Sequence, residues 1–465
     1  MTRGIVIAGT NSGCGKTSVS LGLMAYLKRS GYTVAPFKVG PDYIDPGHHN
    51  RVTGRFSRNL DGWMLTREYN KALFERATQD ADIAVVEGVM GLYDGYDGKS
   101  EMGSTAQMAK WLDLPVILVV NAQSMARSGA ALVKGFERFD PSLNFAGVIF
   151  NKLGSPRHLS YLKEALEGHV AMPCLGGIYR NTAIEMPERH LGLVTDDEKG
   201  LSEAHISTLA DMVAENIDVD RLLKIMDGDS GKKSRGPKTI ESDEKAKGHA
   251  VRIGIARDRA FCFYYQDNLD ILQAHGAELV FFSPMMDGHL PENLDGLYLG
   301  GGYPELFAKE LSANQSLRNE IKAGCNEGLP IYGECGGFMY LCQEIRDFKH
   351  ECFSMTGCFP FKAVMLEKLR SLGYREVTLN DQSLIGHKGQ VVRGHEFHYS
   401  RIEDDHGADK VYRVSPRTGD FVTEEGYRVN RTLGSYIHLH FGSCPDTGRA
   451  FVAACMDYRQ RKVGS

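Results

Sequence analysis

Near the start of the chain an apolar run, Gly4 to Ala8, breaks directly into GTNSGCGKTSVSLGLMAYL. Gly9, Gly13 and Gly15 lead there to Lys16 and Thr17, then to Val19, Leu23 and Leu27, which share one face of a helix. Strand, glycine loop and helix in that order form the context of a phosphate-binding loop. Glycines let backbone N–H groups converge on phosphate oxygens at the positive end of a helix. Lys16 can reach the outer phosphates, and the Thr17 hydroxyl can bind Mg²⁺. Thr10, Asn11, Ser12, Gly13, Cys14, Gly15, Lys16, Thr17 and Ser18 are therefore the candidate nucleotide-binding residues. The usual G-x-x-x-x-G-K-S/T spacing would place glycine where Thr10 stands, so the loop has a deviant form.

Up to Phe150, short apolar runs at Gly4 to Ala8, Ile83 to Val86, Val116 to Val120 and Ala146 to Phe150 alternate with helix-like stretches, which predicts a parallel α/β sheet. From Ser230 to Gly248 the residues are mostly charged or small, the composition of a solvated linker. A new strand-like run, Val251 to Asp258, follows, then an amphipathic stretch to His275 and another apolar run from Glu278 to Phe282. The expected organisation is thus a domain over 1–227, a linker over 228–249 and a second α/β domain over 250–465, a division that suits a chain of 465 residues. A net charge of −5, from 54 Lys+Arg and 59 Asp+Glu, supplies no field for nucleic acid or an anionic membrane surface. No apolar run approaches the ~18 residues of a membrane span. Ten cysteines without a regular framework or a CxxC pair suit a reducing cytoplasm.

A Mg-nucleotide site needs carboxylates at neighbouring strand ends, and Glu87, directly after Ile83 to Val86, is the leading candidate. Asp94 follows on the same segment, either at the site or as a helix N-cap. Asn151 follows the run that ends at Phe150, in the place where related phosphate-loop proteins contact the base, although a plain loop accounts for it almost as well. Lys38, Asp42, Tyr43, Asp45, His48 and His49 crowd a Pro/Gly-punctuated loop after a strand, a density of ionisable groups that a bland turn does not explain.

The loop resembles the dethiobiotin-synthetase-like and MinD-like branch of phosphate-loop proteins. KVGPDYIDP (Lys38 to Pro46), VVEGVMGLYDG (Val85 to Gly95) and GTNSGCGKT together resemble the cobyrinate a,c-diamide synthase family, along nearly the whole chain. The resemblance implies ATP- and glutamine-dependent amidation of the a and c carboxylates of a corrinoid, through an acyl phosphate, in cobalamin biosynthesis. It makes Thr17, Asp45 and Glu87 the expected Mg²⁺ set and puts Lys38, Asp42, Tyr43, Ile44 and Asp94 around substrate and phosphate. The first domain would be the amidoligase.

In the second domain, LPIYGECGGFMYL sets Cys335 on a glycine-flanked turn between strand and helix, resembling the nucleophile elbow of class I glutamine amidotransferases. A cysteine exposed there near a helix N-terminus would favour thiolate and attack the glutamine amide. Backbone N–H groups of Gly301, Gly302 and Gly336 are the expected oxyanion donors. In GSYIHLHFGSCP, His438 aligns with the family's catalytic histidine. His440, two residues on, occupies the position where many relatives carry a glutamate, so a Cys–His dyad is expected, with both histidines on one face if the segment is a strand. His395, Glu396 and His398 of GHEFHYS would face the corrinoid or the domain junction, or serve packing. Ammonia would then pass from Cys335 to the phosphate loop.

Three rivals share part of this pattern. Cobyric acid synthase pairs similar domains but differs at KVGPDYIDP. An a,c-diamide synthase acting on sirohydrochlorin, its nickel form or another tetrapyrrole would carry identical motifs. A MinD-like switch ATPase would need neither Cys335 nor its base. The expected cofactors are ATP and Mg²⁺, the expected partners a tetrapyrrole and glutamine, and the expected state a monomer or homodimer.

Overall fold

A computed structural model of the chain describes residues 3–181, 201–227, 251–416 and 422–464. The chain divides into two compact units, Met1–Lys238 and Thr239–Ser465. The predicted linker lies almost entirely outside the described residues.

The first unit runs β1 (Arg3–Gly9), α1 (Lys16–Arg29), β2 (Val34–Val39), α2 (Ile44–Thr53), β3 (Arg58–Leu60), α3 (Arg67–Ala77), β4 (Ile83–Glu87), α4 (Thr105–Leu112), β5 (Val116–Asn121), α5 (Arg127–Phe139), β6 (Phe145–Leu153), α6 (Pro156–Leu166), β7 (Cys174–Tyr179), α7 (Glu203–Asn216) and α8 (Val219–Asp227). Its strands form one sheet in the order β3-β2-β4-β1-β5-β6-β7, with every pairing parallel. Side chains alternate across a strand, so a sheet covered on both faces needs apolar residues at successive positions. Ile5, Ile7, Ile83 and Val85 bury themselves on the face covered by α1, α2, α7 and α8. Val6, Ala8, Ala84 and Val86 do so on the face of α3 to α6. Gly22 permits the first of these packings, because a Cβ there would sit 2.8 Å from the Leu209 carbonyl of α7.

The segment read as a loop over Lys38 to His49 departs from that expectation, since α2 begins at Ile44. Pro46 falls in the first turn, where its missing N–H costs no hydrogen bond. Asp42 Oδ1 accepts the N–H groups of Ile44 at 2.8 Å and Asp45 at 3.2 Å, which starts the helix.

The second unit begins with β8 (Val251–Ala256), α9 (Gln266–Ala274), β9 (Ala277–Phe282), β10 (Gly296–Leu299), α10 (Ala308–Ala313), α11 (Gln315–Asn326), β11 (Ile331–Glu334) and α12 (Gly336–Leu341). It continues through β12 (Glu344–Arg346), β13 (Cys352–Ser354), β14 (Lys362–Met365), β15 (Ser371–Leu379), β16 (Val391–His398), β17 (Ser400–Glu403), β18 (Asp409–Pro416), β19 (Thr423–Val429), β20 (Thr432–Ser435), β21 (His438–Leu439) and α13 (Asp446–Gly464). The main sheet has the order β21-β16-β15-β18-β19-β20-β11-β10-β8-β9, and β13-β12-β14-β17 make a smaller one. From β20 to β9 the pairings are parallel, whereas β15, β16, β18, β19 and β21 join antiparallel. Parallel strands end in loops at one edge, and there β10 delivers Gly300 to Gly302 and β11 delivers Cys335.

Candidate functional site

The first unit collects its ionisable groups at the strand ends of β1, β2 and β4. Gly13 and Gly15 adopt φ of 75° and 101°, left-handed values that glycine takes without the steric cost of a side chain. A Cβ on Gly15 would lie 1.9 Å from Asn151 Nδ2, and that nitrogen donates to the Cys14 carbonyl at 2.9 Å. Asn151 therefore lies within β6 and buttresses the loop from beneath. The deviant spacing also has a local cause, since the wholly buried Cys14 thiol packs over position 9, where a Cβ would be 2.3 Å from Cys14 Sγ. Asn11, Ser12 and Gly13 form the exposed rim, with Thr10 and Ser18 partly buried beside them. The first turn of α1 carries no acidic residue while its last turn holds Lys28 and Arg29, so the positive end of the helix stays open to an anion.

Lys16 donates to the carbonyls of Asn11 at 3.2 Å and Met90 at 2.6 Å, and burial, aided by the charge of Lys38, lowers its pKa. Thr17 Oγ1 donates to Glu87 Oε1 at 2.7 Å. Lys38 Nζ, itself buried, lies 2.5 Å from Asp45 Oδ2, 3.0 Å from Glu87 Oε1 and 3.8 Å from Asp42 Oδ2. Burial works against its ammonium, but Asp45, Glu87 and Asp42 outweigh that and hold it above the ordinary lysine range. Burial and Asp45 likewise push Glu87 up, and Lys38 with His49 prevails to keep it below the usual carboxylate range. The structure thus brings Asp45 and Glu87 together around one ammonium, with Thr17 bonded to the Glu87 carboxylate. These are hard oxygen donors of the kind Mg²⁺ takes, so the residues present fit that ion.

Two of the expected residues also make local backbone bonds. Asp94 is not a helix cap, since Ser104 caps α4, and its Oδ2 accepts the Gly91 N–H at 2.9 Å within the 88–94 loop. Asp42 accepts the first amides of α2 as described, and Tyr43 is that helix's N-cap with Ile44 its first residue. Sequence reasoning assigned no role to His49, which is wholly buried with Nε2 2.8 Å from Glu87 Oε2 and Nδ1 3.0 Å from Ser57 Oγ. Its signal was position, one turn into the helix that presents Asp45.

In the second unit Cys335 joins β11 to α12 with φ 47° and ψ −105°, a strained conformation for a side-chain-bearing residue of the kind found at functional turns. Close backbone packing enforces the turn: a Cβ on Gly336 would be 3.0 Å from the Gly302 nitrogen, and one on Gly337 2.1 Å from the Leu299 carbonyl. His438 closes the other side, with its Cε1 2.3 Å from where a Gly301 Cβ would be. The turn that carries Cys335 and the His438 imidazole therefore both pack against the triglycine segment. Three expectations change here. Cys335 is buried rather than exposed, at 6% of its surface, and burial together with nearby carboxylates pushes its thiol up, away from a resting thiolate. Burial, aided by His395 and His398, lowers His438 to about 3. The Gly301 N–H already donates to the Phe263 carbonyl at 3.1 Å, which leaves Gly301 the role of making room for the imidazole.

The third change concerns His440. The strand ends at Leu439, so the two histidines part: His440 accepts the Gly442 N–H at 3.1 Å and packs against Tyr265, with Asp267 4.0 Å away. His395 instead stands opposite His438 across the β16–β21 ladder. Glu396 on β16 binds Arg375 Nε at 2.6 Å and His398 Nε2 at 2.7 Å, and although burial opposes its charge the His398 hydrogen bond and the Arg375 guanidinium hold it down to about 2. His398 stacks on Tyr436, and Cys335 Sγ lies 3.9 Å from the Phe397 carbonyl, so GHEFHYS flanks the nucleophile. Glu334 accepts the hydroxyls of Tyr298 and Tyr332, and Glu425 accepts the Ser435 hydroxyl and the Tyr436 N–H, polar contacts that sequence reading passed over. Among the described residues no helix is long and apolar enough to cross a membrane.

Comparison with known proteins adds the following. The family model of the CobQ/CobB/MinD/ParA nucleotide binding domain matches residues 5–194, and that of the CobB/CobQ-like glutamine amidotransferase domain matches residues 252–445. The chain is 47% identical to a cobyrinate a,c-diamide synthase of Syntrophotalea carbinolica, over 97% of this chain and 98% of that one. Relatives of the same name from Dehalococcoides mccartyi (98% of each chain) and Methanosarcina barkeri (99% of this chain and 97% of that one) are each 42% identical.

Proposed function

Since the chain belongs to the cobyrinate a,c-diamide synthase family and is a glutamine-dependent amidating ligase, we propose that it converts the a and c carboxylates of cobyrinate to amides with ATP and glutamine. The observation that carries this reading is a strained, triglycine-backed Cys335 in the same chain as a phosphate loop ringed by buried carboxylates. Sirohydrochlorins are the natural competitors to test beside cobyrinate.

In the glutaminase half, Cys335 Sγ attacks the carboxamide carbon of glutamine while His438 takes the thiol proton and returns it to the departing ammonia. The N–H groups of Gly302 and Gly336 stabilise the oxyanion. Water then hydrolyses the glutamyl thioester. Because the resting pair is a neutral thiol and a neutral imidazole, proton transfer accompanies attack instead of preceding it.

In the synthetase half, a substrate carboxylate is too stable to accept ammonia directly. Its oxygen attacks the γ-phosphorus of ATP, ADP departs, and ammonia displaces phosphate from the acyl phosphate. Thr17, Asp45 and Glu87 would hold Mg²⁺, which supplies charge neutralisation on the phosphates when bound. Lys16 stabilises the phosphoryl oxygens. Lys38 balances the carboxylates and stands ready to neutralise the same charge. Asn151 keeps the loop's amides in register, and Asp94 fixes the neighbouring 88–94 loop.

Mass spectrometry of products from cobyrinate, hydrogenobyrinate and sirohydrochlorins tests the proposal, with glutamine or ammonium as nitrogen donor. Diamidated cobyrinate is the expected product. Cys335→Ser should abolish the glutamine-supported reaction and leave the ammonium-supported one intact. ATP turnover indifferent to every tetrapyrrole would sink the reading.

A further inference from the structure

We propose that Glu334, the residue immediately before the nucleophile, is a positioning residue for His438. The inference rests on the assignment of Cys335 and His438 as the glutamine-hydrolysing pair. In the sheet the strands bearing them are not neighbours, since β11 pairs with β10 and β20 whereas β21 pairs with β16. The chain leaves β20 at Ser435, turns through Tyr436 and Ile437 and enters β21 at His438. Glu334 spans that separation. Its Oε1 accepts the Leu439 N–H at 3.0 Å and the Tyr332 hydroxyl at 2.7 Å, and its Oε2 accepts the Tyr298 hydroxyl at 2.8 Å. The carboxyl is 1% exposed, so each donor matters in an environment without water to replace it.

Glu425 completes the bend from the other side. It accepts the Ser435 hydroxyl at 2.6 Å and the Tyr436 N–H at 2.7 Å. Two carboxylates, buried Glu334 and partly buried Glu425, thus hold the turn that presents the base. Where many relatives place an acid two residues after the histidine, this chain has His440, engaged with its own turn. The group that orients the base comes instead from the nucleophile's strand and grips the backbone, not the imidazole.

Position and charge are separable by two full-length variants. Glu334→Gln keeps the reach and an acceptor for the Leu439 N–H; Glu334→Asp keeps the charge and loses the reach. With glutamine as donor, E334D is expected to lose about 10²-fold in kcat with its KM for glutamine unchanged, the cost of a displaced catalytic group. E334Q should retain most of the rate, and both should keep ammonium-supported amidation, which also reports that the chain is folded. Adding E334D to His438→Ala should produce no further loss, because Glu334 acts through His438. The opposite ranking, or wild-type kcat in E334D, overturns the proposal. If E334D does not fold, loss of glutamine-supported rate in E334Q with the ammonium rate intact overturns it alone. Full glutaminase activity in H438A would instead overturn the assignment of the base on which the proposal stands.

Discussion

The Cys335 side chain sits among buried carboxylates and the backbone of two glycine turns, and these surroundings disfavour its thiolate. The thiolate fraction should accordingly rise with pH. Alkylation of Cys335 by iodoacetamide is expected to climb through about pH 7 to 9 without a plateau, as a thiol raised above its usual pKa of about 8.5 requires. A plateau reached below neutrality would show that thiolate forms at rest. The position of this cysteine was legible in GECGG because few local sequences impose a sharp strand-to-helix turn. Its protonation was not, since it follows mainly from burial, which tertiary packing sets, and then from groups such as Glu305, Glu396, His395 and His398 on other segments. His49 was equally hidden: a histidine after Pro-Gly gives no sign that it will meet Glu87 across two strands.

The phosphate loop and α1 act as one element, and Gly15 is its most demanding position. Gly15→Ala is expected to abolish ATP binding in titration calorimetry, because a Cβ would strike Asn151 and the 101° φ disfavours a side chain. Removing the clash in Gly15→Ala/Asn151→Ala should recover part of the affinity and leave a deficit of about 1–2 kcal/mol, the cost of the left-handed backbone. Equal loss in both variants would mean that strain alone decides. Strands β1, β4, β5 and β6 of the first unit were readable as apolar runs because both faces of their sheet are covered. Helix α2 was not, since Pro46 and Gly47 resemble a turn when their place in a first helical turn is unseen. The antiparallel extension of the second unit escaped for another reason. Strands such as β15 and β18 carry Arg375, Glu376 and Arg413, which blur the alternation that reveals a half-buried strand.

Each unit owns its core, and the charged cluster of Lys16, Lys38, Asp45 and Glu87 proposed to meet nucleotide lies wholly in the first. Mg·ATP at about a hundred times its Kd should stabilise that unit by about 2.7 kcal/mol. Calorimetry is expected to show one transition moving upward and another staying in place; a common shift of all unfolding would contradict this. The net charge of the chain hides the arrangement, because Lys38 spends its charge on buried carboxylates and contributes nothing to a surface field. One feature of the second unit has an evolutionary corollary. With His440 folded into its own turn 4.0 Å from Asp267, a descendant that acquired glutamate there would set two carboxylates against each other in a sealed pocket. A single exchange at 440 would therefore place an acid against Asp267 and not behind His438.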